Sequence, residues 1–319
     1  MIFANPFARI VVGYDDSDAA DTALEHALVL AEQFGGDLVA VHAGDVPAAA
    51  AVPVHSGATM RRDPAPTLRS LDPYRYGLFG KLSDRVATRS VPVALEFVLG
   101  GAAAGIIDAA ARWDATAIAL GTHAPTGLAK TFAGSITDTV ARMATLPVLV
   151  VRQGMRAAPL SRVVVGVDAS DPSANASGFA VALTREQPVR LVYATVADTA
   201  SIMNPIADVP FDPTPLLHEL RASARDALDR AIQQANAGDV FADTEIAEAS
   251  DPASGLAEVA RRQRADAIVV GTHRRGAVER FFIGSTAESL LRRSDVPVII
   301  VPVDARIVPE AMVAQAAER

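Results

Sequence analysis

Arg9-Ile10-Val11-Val12-Gly13-Tyr14-Asp15 returns 153 positions later as Arg162-Val163-Val164-Val165-Gly166-Val167-Asp168. Each stretch is a short run of β-branched residues without polar alternation, ended by an acid. That pattern reads as a strand buried on both faces. Farther on, Ala119-Leu120-Gly121-Thr122-His123 returns 150 positions later as Val269-Val270-Gly271-Thr272-His273. Leu146-Pro147-Val148-Leu149-Val150-Val151 returns at the same offset as Val296-Pro297-Val298-Ile299-Ile300-Val301. Three matches in one order at nearly one spacing mean a duplicated unit, and a length of 319 residues itself predicts about two domains.

Between the repeated strands the apolar period changes to that of a helix. After Asp15, Asp16, Ser17 and Asp18 offer N-cap chemistry. Ala23, Ala27, Leu30, Ala31 and Phe34 then recur at helical spacing, and Gly35-Gly36 ends the run. A second strand follows at Leu38–Val41. Further strands are expected at Val91–Leu99, Ala115–Leu120 and Val148–Val151, with helices over 73–89, 102–113 and 136–144. The second half repeats this, with strands near 162–167, 189–195, 242–248, 266–270 and 298–301 and helices that include 172–184 and 213–236. The expected fold class is α/β: two tandem five-stranded parallel sheets with helices on both faces. The first domain covers 1–152, with an aperiodic insertion over about 44–72. A linker spans 153–160, the second domain covers 161–304, and 305–319 is a C-terminal tail.

Composition excludes several function classes. Half the residues are hydrophobic and only 5% aromatic, which suits Ala/Val/Ile/Leu helices on a buried sheet. A net charge of −8 repels nucleic acid and anionic membranes, since phosphate backbones demand a cationic footprint. The absence of cysteine removes disulfides, thiol catalysis and thiolate metal sites. No apolar run approaches a membrane span and the first residues carry no signal peptide, so a cytoplasmic location is the expectation.

In a doubly wound sheet, ligands sit beyond the carboxyl ends of strands where the strand order reverses. Asp15 and Asp168 lie just past the first strand of each half, and Gly121 and Gly271 just past the fourth. If these strands are neighbours, each half has one crevice. The loop after the fourth strand runs from Gly121 to Gly134-Ser135 in one copy and from Gly271 to Gly284-Ser285 in the other, the same Gly-to-Gly spacing of 13. The second Gly-Ser opens a helix, whose unpaired N–H groups and dipole favour an anion.

With these residues the chain resembles a tandem universal stress protein, over nearly its whole length apart from the insertion and tail. The resemblance implies Rossmann-like domains of the adenine nucleotide α hydrolase-like type. In nucleotide-binding members a loop of the form G-x-x-G-x9-G-[ST] holds the phosphates of ATP. The aspartate loop and the turn after the second strand hold adenine. Carried over by position, the resemblance assigns Asp15 and Asp168 to adenine, with Val41 and Val192 lining the base. It assigns Gly121, Gly134 and Ser135, and Gly271, Gly284 and Ser285, to ribose and phosphates. The ligand is then ATP, or AMP or ADP, with Mg²⁺ as a possible companion. The chain departs from the motif where its second glycine should stand: the residues are Ala124, before Pro125, and Arg274. Where φ must be positive a β-carbon costs about 1–2 kcal/mol, about tenfold in affinity. Arg274 either obstructs the phosphates or pairs with them. Asp16 adds negative charge beside the first crevice, where the second copy has Ala169. The second domain is therefore expected to be the better site.

Simpler readings stand beside these. Asp15 and Asp168 can be helix caps, and Gly134-Ser135 and Gly284-Ser285 plain helix starts. His123 and His273, one per repeat and without cysteine partners, suit loop roles better than a metal site. Arg261-Arg262 and Arg292-Arg293 read as solvated faces. There is no G-x-S-x-G elbow and no complete phosphate-binding lysine motif, so no enzyme is expected, and any hydrolysis should be slow and Mg²⁺-dependent. The competing functions are a nucleotide-binding stress-response module, a scaffold of the same fold that acts through dimerisation, and an adenylating enzyme. The last lacks its serine- and glycine-rich pyrophosphate loop. The Val/Ile-rich last strands, Val148–Val151 and Val298–Val301, would be sticky edges if exposed. They are expected to pair antiparallel in an intramolecular pseudo-dimer, with a homodimer of chains also possible.

Overall fold

The computed structural model describes residues 5–44, 58–59, 73–123, 136–168, 170–200, 212–234, 242–272 and 283–305. Most of the expected 44–72 insertion, Ala124, Gly134, Ser135, Ala169, His273, Arg274 and nearly all of the tail lie outside them. Two compact units meet in sequence at Pro159 and Leu160, inside the expected linker.

The first unit runs β1 (Arg9–Gly13), α1 (Asp18–Phe34), β2 (Asp37–Gly44), β3 (Ala58–Thr59), α2 (Pro73–Val86), β4 (Val93–Leu99), α3 (Ala102–Arg112), β5 (Ala117–Thr122), α4 (Ile136–Met143) and β6 (Val148–Arg152). Its strand order is β3-β4-β2-β1-β5-β6. The second unit runs β7 (Arg162–Gly166), α5 (Asp171–Glu186), β8 (Arg190–Asp198), α6 (Thr214–Gln234), β9 (Ala242–Ala249), α7 (Pro252–Gln263), β10 (Ala267–Thr272), α8 (Ser285–Arg293) and β11 (Val298–Pro302), in the order β9-β8-β7-β10-β11. Five parallel strands per unit is the expected architecture. The first unit adds β3, which pairs antiparallel with β4 through Ala58–Leu95 and Thr59–Ala94.

The runs that looked doubly buried are so. Val11, Val12, Val163, Val164 and Val165 are wholly inaccessible, because helices cover both faces of each sheet. In each unit the first and fourth repeated strands are neighbours: Ile10 pairs with Ala117, and Val163 with Ala267. The first strand is flanked on its other side by the second, Gly13 opposite Val41 and Gly166 opposite Ala194. The chain therefore reverses direction across the sheet at β1 and at β7, and a crevice opens at the carboxyl ends there.

Two features of the first unit fix α1, the helix that starts at the crevice. Ser17 caps it by accepting from Ala20 N at 3.2 Å, and Gly35 closes it with φ 68°. Gln153 donates to Asp18 at 3.0 Å and Gly154 N to Thr22 at 3.2 Å, so the start of the connecting segment lies along α1. The basic edge of α2 and the turn after it meet the same helix and the turn that precedes it. Lys81 pairs with Asp16, Arg85 with Asp21 at 2.5 Å, and Arg89 with Glu25 at 2.5 Å and Glu32 at 3.3 Å. The extra negative charge expected of Asp16 is thus met by Lys81.

His26, midway along α1, is 5% exposed and donates Nδ1–H to Thr22 O at 2.8 Å. Burial lowers its pKa from 6.5, so it is neutral in the folded chain. Below about pH 6.5 the unfolded chain takes up this proton before the folded one does, so the contribution costs stability as pH falls and is absent above that window. The slope cannot exceed about 1.4 kcal/mol per pH unit for one proton. Denaturant unfolding at pH 5.0 and 7.5 should show a smaller pH difference for His26→Gln than for the parent chain. An unchanged difference would remove His26 as its source.

Candidate functional site

The two crevices are built from corresponding elements but differ in size and lining. The second unit's holds about 560 Å³, bounded by the β7–α5 turn, the ends of β8 and β10, α7 and the start of α8. The first unit's holds about 260 Å³. Small-molecule sites span roughly 300–1,000 Å³, so the second is of ligand size and the first falls short.

Asp15 and Asp168 each stand two residues before the N-cap rather than at it. Asp15 Oδ1 accepts from Ser17 N at 3.1 Å and Ser17 Oγ at 2.6 Å. Asp168 Oδ1 accepts from Ser170 N at 3.0 Å, from Ser170 Oγ, and from Ser173 Oγ at 2.5 Å. Ser173 Oγ in turn accepts from Asp168 N at 2.9 Å. The aspartate of the second unit is therefore clamped from both its carboxylate and its backbone, and it lines the crevice.

Gly121 and Gly271 border the crevices, but their glycine identity answers a different demand. A β-carbon at Gly121 would lie 2.0 Å from Ala19 O, and one at Gly271 would lie 2.2 Å from Pro172 O. The first turn of α1 or α5 sits directly on the strand, and only glycine leaves room for it. In the first unit the Gly121 carbonyl also accepts the Thr137 hydroxyl at 2.8 Å. Gly284 is different. It is the N-cap of α8 with φ 94° and ψ 138°, no side chain caps the helix there, and a β-carbon would meet nothing within 4 Å. A positive φ is what its glycine supplies. Gly284, Ser285, Thr286 and Ala287 all line the crevice, which brings the start of α8 to its wall. Backbone N–H groups at such a start are donors for an anion.

Val41 lines the first crevice, as its assigned position requires. Val192 does not line the second. It is wholly inaccessible and pairs with Val164, two residues short of the strand end. The residue opposite Gly166, as Val41 is opposite Gly13, is Ala194. Val192 is instead the counterpart of Val39, which pairs with Val11 as Val192 pairs with Val164. The same 153-residue offset that relates Asp15 to Asp168 points to Ala194, and was the available signal. Beyond it, Thr195 and Val196 reach the crevice.

The lining chemistry also separates the units. Where Thr195, Thr286 and Ser173 line the second crevice, Ile136 and Ala20 line the first, and His42, at the position of Thr195, is not among its lining residues. His42 is turned to donate Nδ1–H to Tyr14 O at 2.9 Å and packs edge-on against Phe97. Ile136 is 46% exposed at the crevice mouth. His123 lines the first crevice, and among the described residues no group of histidine and carboxylate side chains is arranged to hold a metal. No helix among them is long and apolar enough to cross a membrane.

Comparison with known proteins agrees with this architecture. The model of the universal stress protein family matches twice, over residues 6–152 and 159–302. Universal stress protein MJ0531 of Methanocaldococcus jannaschii is 29% identical over 141 residues, which is 44% of this chain and 81% of that protein. Stress response protein NhaX of Bacillus subtilis is 32% identical over 101 residues, 32% of this chain and 59% of that one. A universal stress protein from Archaeoglobus fulgidus shares the fold across 93% of this chain and 98% of its own, with a TM-score of 0.66 at 19% identity. Two family matches in tandem, on two units with the same strand order around one crevice each, mean that the chain belongs to the universal stress protein family.

Proposed function

We propose that the second unit binds an adenine nucleotide, ATP or its AMP or ADP counterparts, and that the chain acts as a nucleotide-responsive module in a stress response rather than as a dedicated enzyme. One observation carries the reading. A crevice of about 560 Å³ has an uncapped helix start at Gly284 on one wall and a clamped aspartate, Asp168, on another. The helix start suits phosphate, and the carboxylate suits a hydrogen-bond donor on the nucleoside. Apolar walls at Leu256, Val270 and Ile283 suit a base. Mg²⁺ would then arrive with the phosphates, and hydrolysis would be slow.

For the first unit, the small crevice and the apolar Ile136 at its mouth favour the scaffold reading, with no nucleotide held. Mass spectrometry of the denatured, freshly purified chain tests both readings together. The expected result is adenine nucleotide at up to one per chain. Two per chain would overturn the assignment of the first unit. None, even after incubation with millimolar ATP and gel filtration, would weigh against the whole proposal.

A further inference from the structure

We propose that the amino end of the second unit's sheet, at the opposite end of β7 from the crevice, carries an oxyanion site in which Arg162 and Arg190 hold a phosphate-type dianion. The inference is independent of the nucleotide reading. From Arg162 to Asp168 is six residues of extended chain, about 20 Å.

The two units differ at this end by a reversal of charge. In the first, Arg9 opens β1 in register with Asp37 on β2. Arg9 Nε donates to Asp37 Oδ1 at 2.7 Å and Nη2 to Asp37 Oδ2 at 2.8 Å, while Nη1 donates to the Trp113 carbonyl at 2.9 Å. One carboxylate thus fills the guanidinium fork. The hydrogen bond to Asp37, against the opposing effect of burial, raises the Arg9 pKa, and the charges of Asp37 and Asp114 add to it. In the second unit the arginine is kept and both acids are replaced. Arg162 corresponds to Arg9 and Arg190 to Asp37 at the offset of 153, and Arg264 corresponds to Asp114 at the offset of 150. Arg162 and Arg190 are again in register. One cation and two anions have become three cations, in a chain whose net charge is −8.

Arg162 keeps the pose of Arg9. Its Nη1 donates to the carbonyl of Gln263, the residue that corresponds to Trp113. Its Nε–Nη2 edge is therefore the one that Asp37 fills in the first unit. Nε is buried and meets no acceptor among the described residues, which is costly for a charged donor. Arg190 has only donors to offer, and it reaches Asp243 on β9 at 3.0 Å with both side chains about half exposed. Asp266, next to this end, is turned to the backbone: Oδ2 accepts from Ser161 N at 2.7 Å, Ser161 Oγ at 2.8 Å and Arg162 N at 2.8 Å. Arg264 has a simple account, since it is the C-cap of α7 and a cation there complements the helix dipole. The registered pair Arg162 and Arg190 lies at strand starts and has no such account. A planar fork matches the paired oxygens of a phosphate, and a second guanidinium beside it favours two negative charges over one.

The test is calorimetry of the full chain at fixed pH and ionic strength, in about 10 mM inorganic phosphate or in chloride. The parent's thermal midpoint should rise by about 2–4 °C in phosphate. Arg190→Asp puts a carboxylate where Asp37 stands in the first unit. Its midpoint in chloride should equal or exceed the parent's, and phosphate should raise it by less than about 1 °C. General salting effects of phosphate act on both proteins, so the difference between them isolates the site. Arg162→Lys, which keeps the charge but not the fork, should also lose most of the rise. Gly284→Val, which alters the crevice at the other end of the sheet, should keep all of it. Acetate in place of phosphate should give less than about half of the rise. No rise in the parent, or a rise that survives both Arg190→Asp and Arg162→Lys, would overturn the proposal. Loss of the rise in Gly284→Val alone would do the same, since the anion would then sit in the crevice. An equal rise in acetate would overturn the assignment to a dianion.

Discussion

Gly271→Ala should destabilise the second unit by at least about 3 kcal/mol, and Gly121→Ala the first by a similar amount. A single methyl is enough because its neighbour is backbone. The new carbon would stand 2.2 Å from Pro172 O, or 2.0 Å from Ala19 O, where non-bonded contact needs well over 3 Å. Removing glycine also restricts the unfolded chain, which favours folding by about 0.4–1 kcal/mol. That gain is too small to offset a clash that moves the first turn of α5 or α1 off the sheet. In a unit of this size the loss corresponds to a fall in midpoint of roughly 6–12 °C by calorimetry. A fall of under 2 °C in both variants would show that the helices do not rest on these glycines. It follows that loss of nucleotide in a Gly271 variant would say nothing about phosphate contacts, because the wall of the crevice moves with the fold.

Gly284→Val separates binding from folding. Nothing lies within 4 Å of the added β-carbon, so packing is spared. The φ of 94° is the difficulty, since holding a branched residue there costs about 1–3 kcal/mol. The backbone either retains that strain or relaxes and turns the N–H groups of Ser285 and Thr286 away from the crevice. ATP affinity should fall by about tenfold or more. The thermal midpoint of the second unit should move far less than in Gly271→Ala. Ser285→Ala, which removes only a hydroxyl donor, should cost less, about threefold. If Gly284→Val binds ATP as the parent chain does, the start of α8 is not the phosphate site.

The architecture was legible because the duplicated chain carries its own control. Each strand end read in one half could be checked against the other, and runs such as Val163–Val165, without polar alternation, have few alternatives to a doubly covered strand. β3 was not legible. Two residues, Ala58 and Thr59, carry no period, and their pairing with Leu95 and Ala94 comes from the partner strand. Site residues were legible in position more than in purpose. Gly121 and Gly271 stand where ligand-binding glycines would, yet the atoms that forbid a side chain are helix carbonyls more than 90 residues away in sequence. No local pattern carries that. Val192 is misplaced for a simpler reason: it corresponds to Val39, two positions before the counterpart of Val41, which is Ala194. Ser173 had no motif at all. Its meaning appears only when α5 is laid on β7 and the clamp on Asp168 closes.

In the proposed function one crevice, that of the second unit, holds an adenine nucleotide against the start of α8. Isothermal titration of ATP into the full chain, repeated with Gly284→Val, tests it most directly. The expected result is a single site per chain in the parent and an affinity about tenfold or more weaker in the variant, with both proteins folded. Binding of equal affinity in the two, or no binding to the parent chain, would contradict it.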